Sequence, residues 1–60
     1  MYKLMIVDDE FYIRDGIVNA VDWESIDVAI VGEAKSGKDA LEKIPRLLPD
    51  IIITDICMDN

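Results

Sequence analysis

Two apolar rhythms alternate along this chain, and that alternation constrains the fold more than any other feature. Residues 2–7 (Tyr-Lys-Leu-Met-Ile-Val) form a mostly apolar run, too short for a helix and stopped by Asp8-Asp9, which predicts a strand. From Asp9 to Val21, apolar side chains recur at Ile13, Ile17, Ala20 and Val21, the spacing of an amphipathic helix. Asp9 and Glu10 would open it, where acidic groups suit the positive end of the helix dipole. After a turn over residues 22–27, Val28-Ala29-Ile30-Val31 predicts a second strand, ended by Gly32. Ser36 is a good N-cap, and Asp39 offers a variant of the capping box. Ala40, Leu41, Ile44 and Leu48 then share one face of a second helix, in which Pro45 predicts a kink or an early end. Pro49-Asp50 closes that segment, and Ile51-Ile52-Ile53-Thr54 predicts a third strand running into Asp55.

The order is β-α-β-α-β in a single domain spanning residues 1–60. Strands alternating with helices of this length imply an α/β fold with a parallel sheet and right-handed crossovers. Ile51 to Ile53 are apolar at consecutive rather than alternate positions, the pattern of a strand covered on both faces. Trp23 and Tyr2 are expected to be packing residues.

Composition narrows the function. Thirteen acidic against six basic residues give a net charge of −7. Nucleic-acid binding needs a patch of Lys and Arg to meet the phosphates, so direct binding by this segment is not expected. No apolar run approaches the ~20 residues that span a bilayer. Met1-Tyr2-Lys3 does not open a signal peptide, and the lone Cys57 cannot form an internal disulfide. Together these predict a soluble protein of the reducing cytoplasm.

Asp8 and Asp9 end the first strand and Asp55 ends the third. In a parallel sheet those ends share one edge, the carboxyl-terminal one, where open α/β folds bind ligands. Two carboxylates about 5 Å apart repel by roughly 3 kcal/mol at an effective dielectric of about 20. Either a carboxyl group keeps its proton, or a divalent cation binds. Carboxylates without histidine or clustered cysteine suit a hard, oxygen-seeking ion, Mg2+ first among them. Beside such an ion a carboxylate can attack a phosphoryl group, with Asp55 the natural nucleophile and Asp8 and Asp9 better placed to hold metal.

At this point the residues reach a resemblance. Leu4-Met5-Ile6-Val7-Asp8-Asp9-Glu10, Val31-Gly32-Glu33-Ala34 and Pro49-Asp50-Ile51-Ile52-Ile53-Thr54-Asp55-Ile56 look like the receiver domains of two-component response regulators. The acidic pair, the Gly-Glu-Ala turn and the Pro-Asp-apolar-Asp strand occur together, in order, over the whole chain. The resemblance implies a flavodoxin-like fold, a Mg2+-dependent aspartyl phosphate and a sensor histidine kinase as donor. It implies signalling without turnover, so not an enzyme, in regulators whose full-length forms carry a DNA-binding output domain. Carried over, Asp55 matches the phosphoacceptor, and Asp8 and Asp9 the metal-binding pair. Cys57 matches the residue that lends a backbone carbonyl to the metal, and Met58 a family Met on the same loop. Asp59 departs from the family, which usually has Pro there.

The family fold has five strands and five helices, and this sequence reaches the third strand. The resemblance therefore implies a truncated, half-receiver fold without the Ser/Thr of the fourth strand and the Lys of the fifth. With strand order 2-1-3-4-5, the third strand becomes an open edge. An exposed apolar edge can pair with another chain, which predicts a homodimer as a self-associating interaction module, the alternative to phosphoacceptance. Other readings are weaker. Ser36-Gly37-Lys38 lacks the upstream glycine of a P-loop. Cys57 has no histidine to activate it as a nucleophile. The carboxylates of Asp55 and Asp59 are too far apart for the Asp-x-Asp of haloacid-dehalogenase phosphatases.

Overall fold

The run Leu4–Val7 holds the middle of the sheet, and the rest of the chain is arranged around it. The computed structural model describes residues 1–54. Its elements follow the order β1 (Tyr2–Val7), α1 (Phe11–Ala20), a 3-10 helix (Trp23–Ile26), β2 (Val28–Ala34), α2 (Gly37–Leu47) and β3 (Ile51–Thr54). All strands are parallel, in the order β2-β1-β3. This is the α/β, flavodoxin-like arrangement expected from the sequence.

Central placement explains why β1 is apolar at consecutive positions. Successive side chains of a strand point to opposite faces, so a strand covered on both faces has no polar side. Leu4 and Ile6 pack with Val28 and with Ile17, Val18, Trp23, Ile30 and Ile53, on the α1 face. Met5 and Val7 pack with Ala34, Ala40, Ile44 and Leu47, on the α2 face. The chain moves one way from β1 to β2 and back over β1 to β3. Crossovers of one hand travelling in opposite directions must pass on opposite faces, and α1 and α2 do.

β2 runs further than expected. Gly32 does not end it, and Gly32-Glu33-Ala34 is strand rather than turn. Leu4 pairs with Ile30 but Met5 with Gly32, so Val31 is an extra residue, a bulge, and pairing resumes through Val7 and Ala34. Gly32 serves packing instead: a Cβ there would lie 2.5 Å from Leu47 Cδ1. Only glycine lets Leu47 lie this close without shifting.

Both helices are shorter than the sequence suggested, and each inward face is offset. α1 turns Arg14, Ile17 and Val18 toward the sheet, while Ile13, Ala20 and Val21 are exposed. Trp23 is a packing residue whose indole N–H donates to the Ile17 and Val18 carbonyls at 3.3 and 3.2 Å, serving the orphan C-terminal carbonyls of α1. Tyr2, by contrast, is exposed. α2 buries Ala40 and packs Ile44 and Leu47, whereas Leu41 is 72% exposed and Leu48 lies outside the helix in the left-handed region. The helix passes through Pro45 and ends two residues later; Leu41, whose carbonyl loses its N–H partner to the proline, is on the wet side.

β3 registers on β1 from Leu4–Ile51 to Val7–Thr54. Asp50 fixes that register, because its carboxylate accepts from the Lys3 N–H at 2.8 Å and its own N–H donates to the Lys3 carbonyl at 2.7 Å. Ile51 and Ile52 are partly exposed, so the expectation of a strand covered on both faces is not met among the described residues. No helix among the described residues is long and apolar enough to cross a membrane.

Candidate functional site

The parallel sheet brings the ends of its three strands to one edge, where Val7 pairs with both Ala34 and Thr54. Asp8 is the next residue after β1. Its N–H donates to the Ala34 carbonyl at 3.0 Å, which extends the ladder one step. Its carboxylate is largely withdrawn from solvent, the residue being 6% exposed, and Oδ1 accepts the Glu10 N–H at 3.0 Å. That bond closes the turn into α1, whose own N-cap Glu10 makes no side-chain capping bond among the described residues. Asp9 is exposed. One sheltered and one open carboxylate, both with hard oxygen donors, fit the chemistry of a dication such as Mg2+.

The remaining predicted site residues, Asp55 and Cys57 with Met58 and Asp59, lie outside the described residues. Thr54, the last described residue of β3, precedes Asp55 directly in the chain. Among the described residues no group of three or more carboxylates, cysteines or histidines is placed to hold a metal ion. The structure thus puts Asp8 and Asp9 at the carboxyl edge, as the sequence predicted.

Two side chains that the sequence reading left aside, Arg14 and Lys43, are tied into this edge. Arg14, one turn into α1, donates from Nη1 to the Asp8 backbone carbonyl at 2.5 Å and from Nε to Glu33 Oε1 at 3.1 Å. Its guanidinium carbon also lies 5.7 Å from the centroid of the Phe11 ring, within cation–π range. Lys43 of α2 donates to the Glu33 carbonyl at 2.7 Å and to Asp39 Oδ2 at 3.1 Å. A signal for Arg14 exists in the sequence, since it stands three and four residues before Ile17 and Val18, on their face. Lys35 and Lys38 are exposed, as expected of a solvated helix start.

Local electrostatics follow these contacts. The Lys35 backbone N–H, and next the Lys43 ammonium, hold the Asp39 carboxyl below its ordinary range. The neighbouring Glu10 carboxylate first, and more weakly the charges of Asp8 and Asp9, hold the Tyr12 phenol above its own. The acidic turn is thus felt one residue into α1.

Comparison with known proteins places this edge in context. The sequence model of the response regulator receiver domain matches residues 4–60. The chain belongs to the response-regulator receiver family. It is 47% identical over 58 residues to the response regulator protein VraR of Staphylococcus saprophyticus, covering 97% of this chain and 27% of VraR. It is 43% identical over 58 residues to the transcriptional regulatory protein YesN of Bacillus subtilis, covering 97% of this chain and 16% of YesN. Among solved structures, the receiver domain of AraT, a response regulator from Geobacillus stearothermophilus, superposes with a TM-score of 0.87 at 38% identity. That match covers 95% of this chain and 44% of the AraT chain. The receiver sequence described here therefore spans well under half the length of its curated relatives.

Proposed function

We propose that this receiver segment is the phosphoacceptor part of a two-component response regulator, with Asp55 taking a phosphoryl group from a sensor histidine kinase. In this reading Asp8, Asp9, Asp55 and the backbone carbonyl of Cys57 hold Mg2+. The observation that carries it is the β1–β3 register. Val7 pairs with Thr54, and in the sequence each of these two residues is followed directly by a carboxylate, Asp8 and Asp55 in turn. When bound, Mg2+ offsets charge on the phosphoryl oxygens. A carboxylate oxygen of Asp55 forms the new P–O bond as the donor's P–N bond breaks; that bond's electron pair returns to the ring nitrogen, and the proton on the ring's other nitrogen stays there, so the histidine leaves as neutral imidazole. The carboxylate leaves the transfer modified, so the role is signalling rather than enzymatic turnover. It suits a cytoplasmic protein with a free thiol. The net charge of −7 argues that any regulation of transcription, as in the name of YesN, would act through DNA contacts made outside this segment.

One observation favours a second reading beside the first. Ile51 and Ile52 are partly exposed, and among the described residues no strand pairs with β3 on the side away from β1. Edge-to-edge pairing of two copies through β3 would cover them as a homodimer.

Asp55→Asn tests both. Treated with acetyl phosphate and Mg2+, the chain should gain one phosphoryl group by intact mass, and the variant should gain none. Labelling of the variant at the parent level would remove Asp55 from the role. Equilibrium sedimentation of the same two samples reads the second: a dimer in both supports it, and a folded monomer at high micromolar concentration ends it.

A further inference from the structure

α1 turns a cation inward at the position where a helix on a sheet ordinarily presents an aliphatic side chain. The Arg14 side chain is only 14% exposed, on the same stripe as Ile17 and Val18. A withdrawn guanidinium is tolerated only where its donors are met. Nη1 is met by the Asp8 carbonyl and Nε by the Glu33 carboxylate. The Asp8 carbonyl belongs to the peptide unit that joins Asp8 to Asp9. Its orientation sets the direction in which both carboxylates leave the backbone.

We propose that Arg14 is a positioning residue for the acidic pair: anchored on Glu33, its guanidinium holds the Asp8–Asp9 peptide and so fixes both carboxylates at the carboxyl edge of the sheet. This rests on the metal-binding reading above, though its effect on the turn can be measured without metal. Arg14 does not touch the phosphoryl group or the ion. Its planar fork matters as much as its charge, because two acceptors on different elements must be met at once.

Charge and positioning act in opposite directions on Mg2+. A guanidinium beside the acidic pair repels a dication, so if Arg14 were merely a nearby charge, Arg14→Met would tighten Mg2+ binding. As a positioning residue, its loss weakens binding by about ten- to a hundredfold, the usual consequence of removing a partner behind a metal ligand. Arg14→Lys keeps the charge but not the fork, and recovers only part of the affinity.

The experiment is calorimetric titration of the chain and these variants with MgCl2, paired with amide hydrogen exchange in the metal-free protein. Exchange is followed at Glu10, whose N–H donates to Asp8 Oδ1, and at Ala40, whose N–H donates to the Ser36 carbonyl in α2. In Arg14→Met the Glu10 amide should exchange faster while Ala40 keeps its protection, which general destabilisation would not produce. Mg2+ affinity equal to or tighter than the parent's in Arg14→Met overturns the proposal. If that variant does not fold, Glu33→Gln replaces it, and unchanged Glu10 exchange there overturns it equally. A parent chain that binds no Mg2+ removes the metal reading alone, and Glu10 exchange in Arg14→Met then decides whether Arg14 holds the turn.

Discussion

The two faces of the sheet are covered by helices held in different ways. α2 is fastened to β2 by close packing, with Ala40 buried and Leu47 resting where Gly32 has no side chain. Its first turn is capped by Ser36, whose Oγ accepts the Asp39 N–H at 3.0 Å, while Asp39 accepts the Lys35 N–H at 3.0 Å. None of α1's residues is fully buried, and Glu10 gives it no side-chain cap among the described residues. α1 rests Ile17 and Val18 on the sheet without burying them fully, and polar bonds hold its two ends: Arg14 at its start and the Trp23 indole at its end. The helix that follows the acidic turn thus relies more on a few directional bonds, and the helix on the opposite face more on buried area. Directional bonds fix an orientation at few points, which suits a turn that, in the metal site proposed above, would present two carboxylates.

The largest effect that could break this contrast comes from the central strand. Met5 and Ile6 are both fully buried, lose the same number of heavy atoms on truncation to alanine, and face α2 and α1 respectively. Each truncation should cost about 2–5 kcal/mol, with the spread set by how far the surroundings collapse into the hole. Met5→Ala should cost more, because α2 is locked by Leu47 and its cap, while α1 is freer to settle. Equal midpoint shifts in urea unfolding would mean that the two helices are equally rigid.

A smaller test sharpens the contrast at the helix starts. Ser36→Ala removes a side-chain cap and should cost about 1 kcal/mol. Glu10→Ala, at the uncapped start of α1, should stay within about 0.5 kcal/mol in the same unfolding assay.

The smallest effect is a pH dependence confined to the α2 side. The folded chain binds the Asp39 proton less readily than the unfolded chain does, because the Lys35 N–H and Lys43 favour the charged carboxylate. That contribution is complete above the ordinary carboxylate range, about pH 4, and is lost as pH falls through it toward the depressed value. Asp39→Asn should therefore flatten the acid side of the stability profile measured by thermal unfolding. A parent profile already flat there would remove Asp39 from the account.

Much of the fold could be read in the sequence, because order and period alone imply a parallel sheet with a helix on each face. The apolar positions of α1 and α2 were less legible. Ile13 and Val21 lie on an apolar period that the described strands do not cover, and the same is true of Leu41. Leu47 gained its place from Gly32, a relation across two elements that no local spacing reveals. Asp8 and Asp9 were legible as strand-end carboxylates, since topology fixes where strand ends go. Arg14 shares the face of Ile17 and Val18 by spacing, but that signal was outweighed, because a charged residue in an amphipathic pattern is ordinarily assigned to the wet face. Only the acceptors brought by Asp8 and Glu33 make the inward position tolerable.

The extra residue in β2 has a further consequence, one of phase. Val28 and Ile30 point to the α1 side, and strict alternation would send Gly32 and Ala34 the same way and Glu33 to the other. By inserting Val31, the strand slips half a period against its neighbour. Ala34 then joins the α2 core, and Glu33, opposite Ile6, comes round to the side where Arg14 waits. One unpaired residue thereby acts as a commutator, exchanging the two faces partway along the strand. The arginine, the glutamate and the acidic turn share a side because the count of residues in β2 is odd by one.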